Sequence, residues 1–415
     1  MAEKRSVQKM DIVKLPQETH LNNAGRRCCA TIRFFMDTNR RQFLRQSFSV
    51  GAAAGVSGVP LINQAQDKKP AAAADDKFDW YDVNEWGVEG RGWSGEDLAK
   101  TYDRLPAKAE KIVRPPVWSL SHHSAGMLTR FQTDASEVHV RYELQSKSLS
   151  MPHMPATGVS GVDLYALDTN NNWRWAGVAQ PKTFPVVETK IAHGMDKVLH
   201  AFSAYFPLYN GVNKMEIGVP KGAKFEPLAP RHEKSILFYG TSITHGACAS
   251  RPGMCHPAIL GRRLNKPIIN LGFSGNGKME PEVGALLCEL DPAVYVIDCL
   301  PNMTEVEVAK RTVPLVEQLR RARPETPIVL VEDRTYEYAW IRKSAQERHK
   351  GSRAALIRAF DTLVASGVKK LHYLEGADLL GKDGDGSTDG SHPNDLGFVR
   401  QSDAFEPVLK KALGL

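Results

Sequence analysis

"ILFYGTSITHGACAS", residues 236–250, decides how the second half of this chain folds. Four apolar residues, Ile236 to Tyr239, run without alternation into Gly240, and Thr241 and Ser242 follow at once. An uninterrupted apolar run of this kind reads as a strand buried on both faces, the pattern of a parallel sheet. In open parallel sheets ligands and chemistry collect at the carboxyl ends of the strands. Ser242 stands at such an end, where a serine serves either a turn or a reaction.

The pattern around this stretch repeats. "PIINLGFSG", "AVYVIDCLPN", "TPIVLVED" and "KKLHYLE" are further apolar runs, and helical patterns separate them. Leu356, Phe360, Leu363 and Val364 share one helical face, with Gly367 as the C-terminal stop. Another helix is predicted to end at "RRARP", with arginines in its last turn and Pro324 beyond. Alternating strand and helix over 234–415 predicts a parallel sheet with helices on both faces. Upstream, residues 80–219 read as β-structure. "SEVHVRYELQ" alternates Val138, Val140, Tyr142 and Leu144, the period of a half-buried strand. "VDLYALDTNNNWRWAGVAQ" is two apolar runs around a Thr-Asn-Asn-Asn turn, a hairpin signal. With so many short runs, a β-sandwich of jelly-roll type is the simplest architecture. Residues 220–233 are a Pro/Lys-rich connector, and 67–79 read as a polar linker.

Charge narrows the function classes. The formal net charge is +7, but residues 1–66 carry ten basic and four acidic side chains, leaving about +1 for the rest. The body is nearly neutral and has no electrostatic footprint for nucleic acid. In the leader, Arg40 and Arg41 precede Phe43-Leu44 and a weakly apolar Ala/Gly/Val run, which resembles a twin-arginine export signal. That run is too short and Gly-rich for a transmembrane helix. The expectation is an exported, periplasmic or extracellular protein without membrane insertion once the leader is removed, with Met36 a candidate initiator. Of six cysteines, Cys28 and Cys29 fall in the leader, while Cys248 and Cys255 flank the loop after Ser242, either bridged or as free thiols.

Four short blocks follow one another after residue 234. They are Gly240-Thr241-Ser242, "NLGFSGNG" with Gly275, "DCLPN" ending in Asn302, and "DGSH" from Asp389 to His392. In this order they resemble the SGNH-hydrolase superfamily of GDSL-type esterases, whose blocks supply Ser, Gly, Asn and His. "GVDLY", 161–165, resembles the GxDLY module that precedes some of these domains. The resemblance implies a flavodoxin-like α/β hydrolase domain behind the β-sandwich, with Ser242, Asp389 and His392 catalytic and Ser242, Gly275 and Asn302 forming an oxyanion hole. It implies no organic cofactor and no metal.

Physical chemistry supports those roles. A serine hydroxyl is a weak nucleophile and needs a neighbouring base, here His392. Asp389 can hold its imidazole in one tautomer and stabilise the imidazolium. An oxyanion needs donors already aimed at it, from the N–H groups of Ser242 and Gly275 and the Asn302 amide. Two departures stand out. Thr241 replaces the usual Asp before the serine, and Pro301 stands where a glycine region normally precedes Asn302. Thr244 in place of a second glycine excludes the G-x-S-x-G elbow of α/β-hydrolases.

Other candidates read more plainly. "DGDGSTDGSHPN" has calcium-loop acids but lacks the turn glycine and the closing glutamate, so it reads as a flexible, solvated active-site loop. Adjacent His122 and His123 face opposite ways and are poor joint metal ligands. His245 either lines the pocket or starts a helix. Trp173 and Trp175 are either sugar platforms or sandwich core, with core packing the expectation for at least one of them, and Tyr205, Phe206 and Tyr209 read as core or interdomain packing. The expected function is an exported serine esterase acting on acyl, chiefly acetyl, esters of a polysaccharide. A lipid or small-molecule acyl ester is the rival substrate. A glycan-binding envelope protein without turnover is the rival from another class.

Overall fold

A computed structural model describes residues 77–415, which fall within one contact unit, Lys69–Leu415. The leader, with Arg40, Arg41, Met36, Cys28 and Cys29, lies outside the described residues.

The first layer pair is built from nine strands: β1 (Phe78–Asp82), β2 (Leu128–Thr133), β3 (Glu137–Leu144), β4 (Asp163–Leu167), β5 (Trp173–Val178), β6 (Val186–His193), β7 (His200–Tyr205), β8 (Val212–Pro220) and β9 (Phe225–Leu228). They form two antiparallel sheets, ordered β1-β8-β3-β6 and β5-β4-β7-β2-β9. Val138, Val140, Tyr142 and Leu144 of β3 point inward, as their alternation predicts, and meet Phe131, Leu164 and Phe202 of the facing sheet. The predicted hairpin is β4–β5, closed by a turn in which Asp168 accepts hydrogen bonds from the backbone N–H of Asn170 and Asn172. The stretch read as a connector, 220–233, contributes β9, which pairs with β2. Its pattern is short and broken by Pro227, which suits an edge strand.

Between β1 and β2 the chain leaves the sandwich. Residues 93–121, including helix α1 (Pro115–Ser121), pack Trp93, Leu105, Ala109, Val113 and Val117 into the core of the C-terminal domain. A β-only reading of this stretch misses that, because the segment is Pro-broken and carries no long helical period. A one-turn helix, α2 (Ala156–Val159), precedes β4.

The C-terminal domain has strands β10 (Ile236–Gly240), β11 (Ile268–Gly272), β12 (Val294–Asp298), β13 (Ile328–Val331) and β14 (Leu371–Leu374). All pair in parallel, in the order β11-β10-β12-β13-β14. This is the flavodoxin-like order, and its switch point lies between β10 and β12, beside Ser242. Helices α3 (Ser242–His245), α4 (His256–Arg263), α5 (Pro281–Leu287), α6 (Glu305–Ala322), α7 (Lys343–Ala365) and α8 (Asp395–Leu413) complete the domain. The continuous apolar run of β10 divides by parity. Leu237 and Tyr239 join a core with α5, α6 and α7, whereas Ile236 and Phe238 join one with α4 and α8. A strand covered on both faces has no polar side to show, which is why its sequence lacks alternation.

Candidate active site

Ser242 is the first residue of α3 and is 7% exposed. Thr241 is its N-cap: its Oγ1 accepts from the backbone N–H of Ile243 at 3.3 Å. The substituted block therefore keeps the turn hydrogen bond, supplied by a hydroxyl. The short helix sits directly on the end of β11, where a Cβ at Gly272 would come within 2.2 Å of the His245 backbone nitrogen. Thr244 Oγ1 donates to Asp298 Oδ2 at 3.1 Å, and Asp298 is itself held by the fully buried Arg334 at 3.0 and 3.1 Å. The serine thus begins a turn tied to the end of β12.

Ser242 Oγ lies 2.8 Å from His392 Nε2, and His392 Nδ1 lies 2.7 Å from Asp389 Oδ2. The other oxygen of Asp389 accepts from the backbone N–H of Ser391 at 3.0 Å and of His392 at 2.8 Å. Burial acts to raise the Asp389 pKa, but these hydrogen bonds from His392 and Ser391 outweigh it and hold the carboxyl below its ordinary value. Asp389 is therefore an anion at neutral pH, fit to orient an Nδ1–H imidazole whose Nε2 faces the serine. A hydroxyl, imidazole and carboxylate joined in this order can move a proton from oxygen to nitrogen during attack on a carbonyl.

The loop that carries His392 is exposed at Asp383, Asp385, Thr388 and Asp389, in keeping with the solvated loop expected, and it is closely anchored by hydrogen bonds. Arg400 holds Asp383 at 2.6 Å, Asn394 Nδ2 donates to Asp385 O at 2.7 Å, and Glu337 accepts from the Gly386 N–H and the Ser387 hydroxyl. Of the acids that mimic a calcium loop, Asp383 holds Arg400, Asp385 takes part through its backbone carbonyl, and Asp389 binds His392. Among the described residues no group of three or more His, Cys, Asp or Glu is placed to hold a metal ion.

The remaining two blocks follow the strands on either side of β10. Gly275 has φ +69°, and a Cβ there would meet no atom within 4 Å. Glycine is needed for its backbone conformation, with open space beside it, rather than for relief from crowding by the protein. Asn302 ends a 3-10 turn, Leu300–Asn302, and its Oδ1 is buried without a partner. The unusual Pro301 is accommodated from outside, since Arg348 Nη2 of α7 donates to the Pro301 carbonyl at 2.8 Å.

One residue at this site escapes sequence reasoning. Tyr209, read as packing, donates from its hydroxyl to the Ser242 carbonyl at 3.2 Å, and Ser274 is a second hydrogen-bond partner. The β-sandwich thereby touches both the serine block and the glycine block. Tyr209 stacks on His245 at 4.1 Å, and His245 Nε2–H donates to Leu208 O at 2.7 Å. His123 Nδ1 lies 3.3 Å from the same nitrogen, while His122 turns away to Asp103 at 2.8 Å. Burial, and then the Arg104 guanidinium, pushes His123 down to about 3 and His245 well below its ordinary value. Both are neutral packing imidazoles.

The GxDLY stretch also acquires a physical role. Leu164 enters the sandwich core, while Asp163 and Tyr165 face the loop after α3. Buried Asp163 accepts from Arg251 at 2.9 Å, the Gly253 N–H at 2.8 Å and Trp175 Nε1 at 3.0 Å. Neither tryptophan of the hairpin lies between the sheets, contrary to the expectation for at least one. Trp173 is half-buried beside the interdomain cluster, and Trp175 is 53% exposed. Tyr205 belongs to that interdomain cluster and Phe206 to the sandwich core. Cys248 and Cys255 are buried free thiols.

Comparison with known proteins agrees with this architecture. The profile of the GDSL-like lipase/acylhydrolase family matches residues 233–410, and that of the GxDLY N-terminus of SGNH-hydrolase-type esterases matches 78–225. A crystal structure of a GDSL-like lipase from Bacteroides ovatus ATCC 8483 is 31% identical, with TM-score 0.77 over 81% of this chain and 98% of the other. Salicylyl-acyltransferase SsfX3 from a tetracycline biosynthetic pathway shares the fold at 17% identity and TM-score 0.62, covering 83% and 96%. So does a family two carbohydrate esterase from Cellvibrio japonicus, at 11% identity and TM-score 0.51, covering 81% and 98%. No curated protein matches the chain. The chain belongs to the GDSL-like lipase/acylhydrolase family of SGNH hydrolases, and it is a carboxylic ester hydrolase.

Proposed function

We propose that this protein is an exported esterase that removes short acyl groups, chiefly acetyl, from carbohydrate by way of an acyl-Ser242 intermediate. The observation that carries the reading is the continuous hydrogen-bonded line from Ser242 Oγ through His392 to Asp389, at 2.8 and 2.7 Å. Ser242 Oγ attacks the ester carbonyl as His392 Nε2 takes its proton. The oxyanion forms against the N–H groups of Ser242 and Gly275 and the Asn302 amide. His392 then gives the proton to the departing alcohol oxygen, the C–O bond breaks, and the acyl group remains on Ser242. Water repeats the cycle, with His392 as base and then acid, and frees the carboxylic acid.

The finer parts of the reading rest on separate supports. The preference for acetyl rests on context, an export-type leader and an accessory β-sandwich beside the hydrolase domain. The carbohydrate assignment is supported by the pairing of a β-sandwich with the hydrolase domain, a fold shared with the family two carbohydrate esterase from Cellvibrio japonicus. Export rests on the paired Arg40-Arg41 leader. Acetate release from p-nitrophenyl acetate and acetylated xylan at pH 7.5 tests the reaction, with Ser242→Ala alongside. The parent is expected to release acetate and the variant to lose at least about 10³-fold in kcat. A folded parent without turnover on any ester would leave a glycan-binding protein as the better reading. Fractionation of cells expressing the full chain tests export, and Arg40→Lys/Arg41→Lys should retain the precursor inside.

A further inference from the structure

Where the β-sandwich meets α4 there is a cleft that the proposed reaction does not use. It lies at the amino end of the sheet. Its walls include Ile268, which begins β11 and pairs with the first residue of β10, whereas Ser242 follows the last. The two ends are separated by roughly 15 Å of strand. An open part of about 900 Å³ joins a narrow recess through three shared residues, Arg130, Trp173 and Arg262.

The charges in this cleft do not balance. Five cations, Arg130, Arg231, Arg262, Arg263 and Lys266, face two carboxylates, Glu89 and Glu406. Arg263 is satisfied by Asp403 at 2.7 Å and Glu406 at 3.2 Å, and Lys266 by Glu233 at 2.8 Å. Arg231 takes both oxygens of Glu89, at 2.7 and 3.0 Å, so Arg130 reaches Glu89 only at 3.5 Å. Arg262 makes no carboxylate ion pair among the described residues. Its guanidinium lies over Tyr165 at 4.0 Å, and its Nη2 donates to Gly253 O at 2.7 Å. Its Nη1 is buried and, apart from the facing Tyr205 hydroxyl, has no acceptor. The two under-neutralised arginines are those that share the junction with the half-buried Trp173 ring.

We propose that this cleft is a second binding site, for an oligosaccharide that carries carboxylates, such as a chain of uronic acids. Arg130, held only loosely by Glu89, presents a planar fork suited to a carboxylate, and Arg262, whose Nη2 is taken by Gly253 O and whose Nη1 is buried, adds unpaired positive charge behind it. Trp173 offers a flat apolar face to a sugar ring, and the exposed amides of Asn171 and Asn172 at the hairpin tip can meet hydroxyls. A lone inorganic anion would use the arginines but leave the tryptophan and most of the cleft empty. Binding here holds an acidic glycan on the enzyme away from the reacting ester.

The proposal is independent of the esterase reading, because calorimetry reads the one and p-nitrophenyl acetate hydrolysis the other. The test is titration of the full chain with tetragalacturonate and with neutral xylotetraose, at 50 and 300 mM NaCl. Tetragalacturonate should bind at least about tenfold more tightly than xylotetraose and weaken with salt. Trp173→Ala and Arg130→Gln should each lose about tenfold in affinity while hydrolysing p-nitrophenyl acetate as the parent does. Equal binding of the two sugars by the parent, or no binding of either, overturns the proposal whether or not the variants fold. Binding that survives both substitutions in variants with the parent's Tm overturns it too, by placing the sugar elsewhere.

Discussion

At the scale of single residues, the site's chemistry depends on a few atoms whose environments differ sharply. Asn302 offers an amide on a turn clamped by Arg348, so its proposed role is felt only as charge develops on the substrate oxygen. Asn302→Ala is expected to lower kcat on p-nitrophenyl acetate by about 10²–10³-fold and leave KM nearly unchanged. A rise in KM with kcat intact would make Asn302 a ground-state contact instead. The thiols near the serine behave oppositely to a nucleophile. Burial pushes Cys248 up to about 11, with the Asp389 charge adding to the shift and a hydrogen bond with Thr388 opposing it, and burial pushes Cys255 up to about 11. A raised thiol pKa means that the neutral form dominates at pH 7.5 and the thiolate appears only near pH 11. Iodoacetamide should therefore leave both unlabelled in the native protein at pH 7.5 and label both after denaturation.

At the scale of elements, the short helix α3 and the loop behind it are held from the sandwich side. Asp163 receives three donors from that loop and from Trp175, and burial acts first to raise its pKa against the pull of Arg251. Removing one partner of a buried ion pair leaves the other charge stranded. Asp163→Ala should cost about 3–5 kcal/mol of stability in urea unfolding, and Asp163→Ala/Arg251→Met should recover part of it. If the single variant matched the parent, the motif's role would have to be sought in folding or in ligand contact. Gly253 sits in the same knot, since a Cβ there would lie 2.4 Å from the Tyr165 ring. Gly253→Ala is expected to lose about 1–3 kcal/mol through overpacking.

At the scale of the whole molecule, the two domains share a core. Trp93, Leu105, Val113 and Val117 from the N-terminal segment cover the sheet face that carries Leu237, Tyr239 and Tyr295. Arg104, fully buried, donates to the carbonyls of Leu120 and His123 on one side and of Asn270 and Gly272 on the other. Burial lowers its pKa to about 9, so it is still a cation at neutral pH. A fragment starting at residue 234 would expose that apolar face and remove the Arg104 donor from two carbonyls of β11, those of Asn270 and Gly272. Such a fragment should bind the dye ANS and aggregate on size-exclusion chromatography, whereas the full chain should do neither. A monomeric 234–415 fragment with the parent's esterase activity would refute the shared-core account.

What could be read along the chain was whatever short-range pattern encodes. The unalternating run before Gly240 specifies a doubly covered strand, and Val138 to Leu144 specify an inward face, because burial repeats with the period of the backbone. Ser242, Asp389 and His392 were legible as a set because four blocks stand in a recognisable order, the first three at predicted strand ends and the last before the C-terminal helix. Their mutual distances were not legible, since Asp389 stands 147 positions after Ser242 along the sequence. Tyr209, Arg348 and Arg104 carried no local signal. A tyrosine or arginine looks the same in sequence whether it packs, pairs in solvent or caps a distant carbonyl. The hairpin tryptophans and the connector strand were misjudged for a related reason, as which face meets the second domain is a matter of long-range docking. Sequence by itself determined the elements, their periodicity and the residues able to do the chemistry. Only the tertiary structure decided which of those residues meet, because a hydrogen bond depends on a separation of about 3 Å in space and not on distance along the chain.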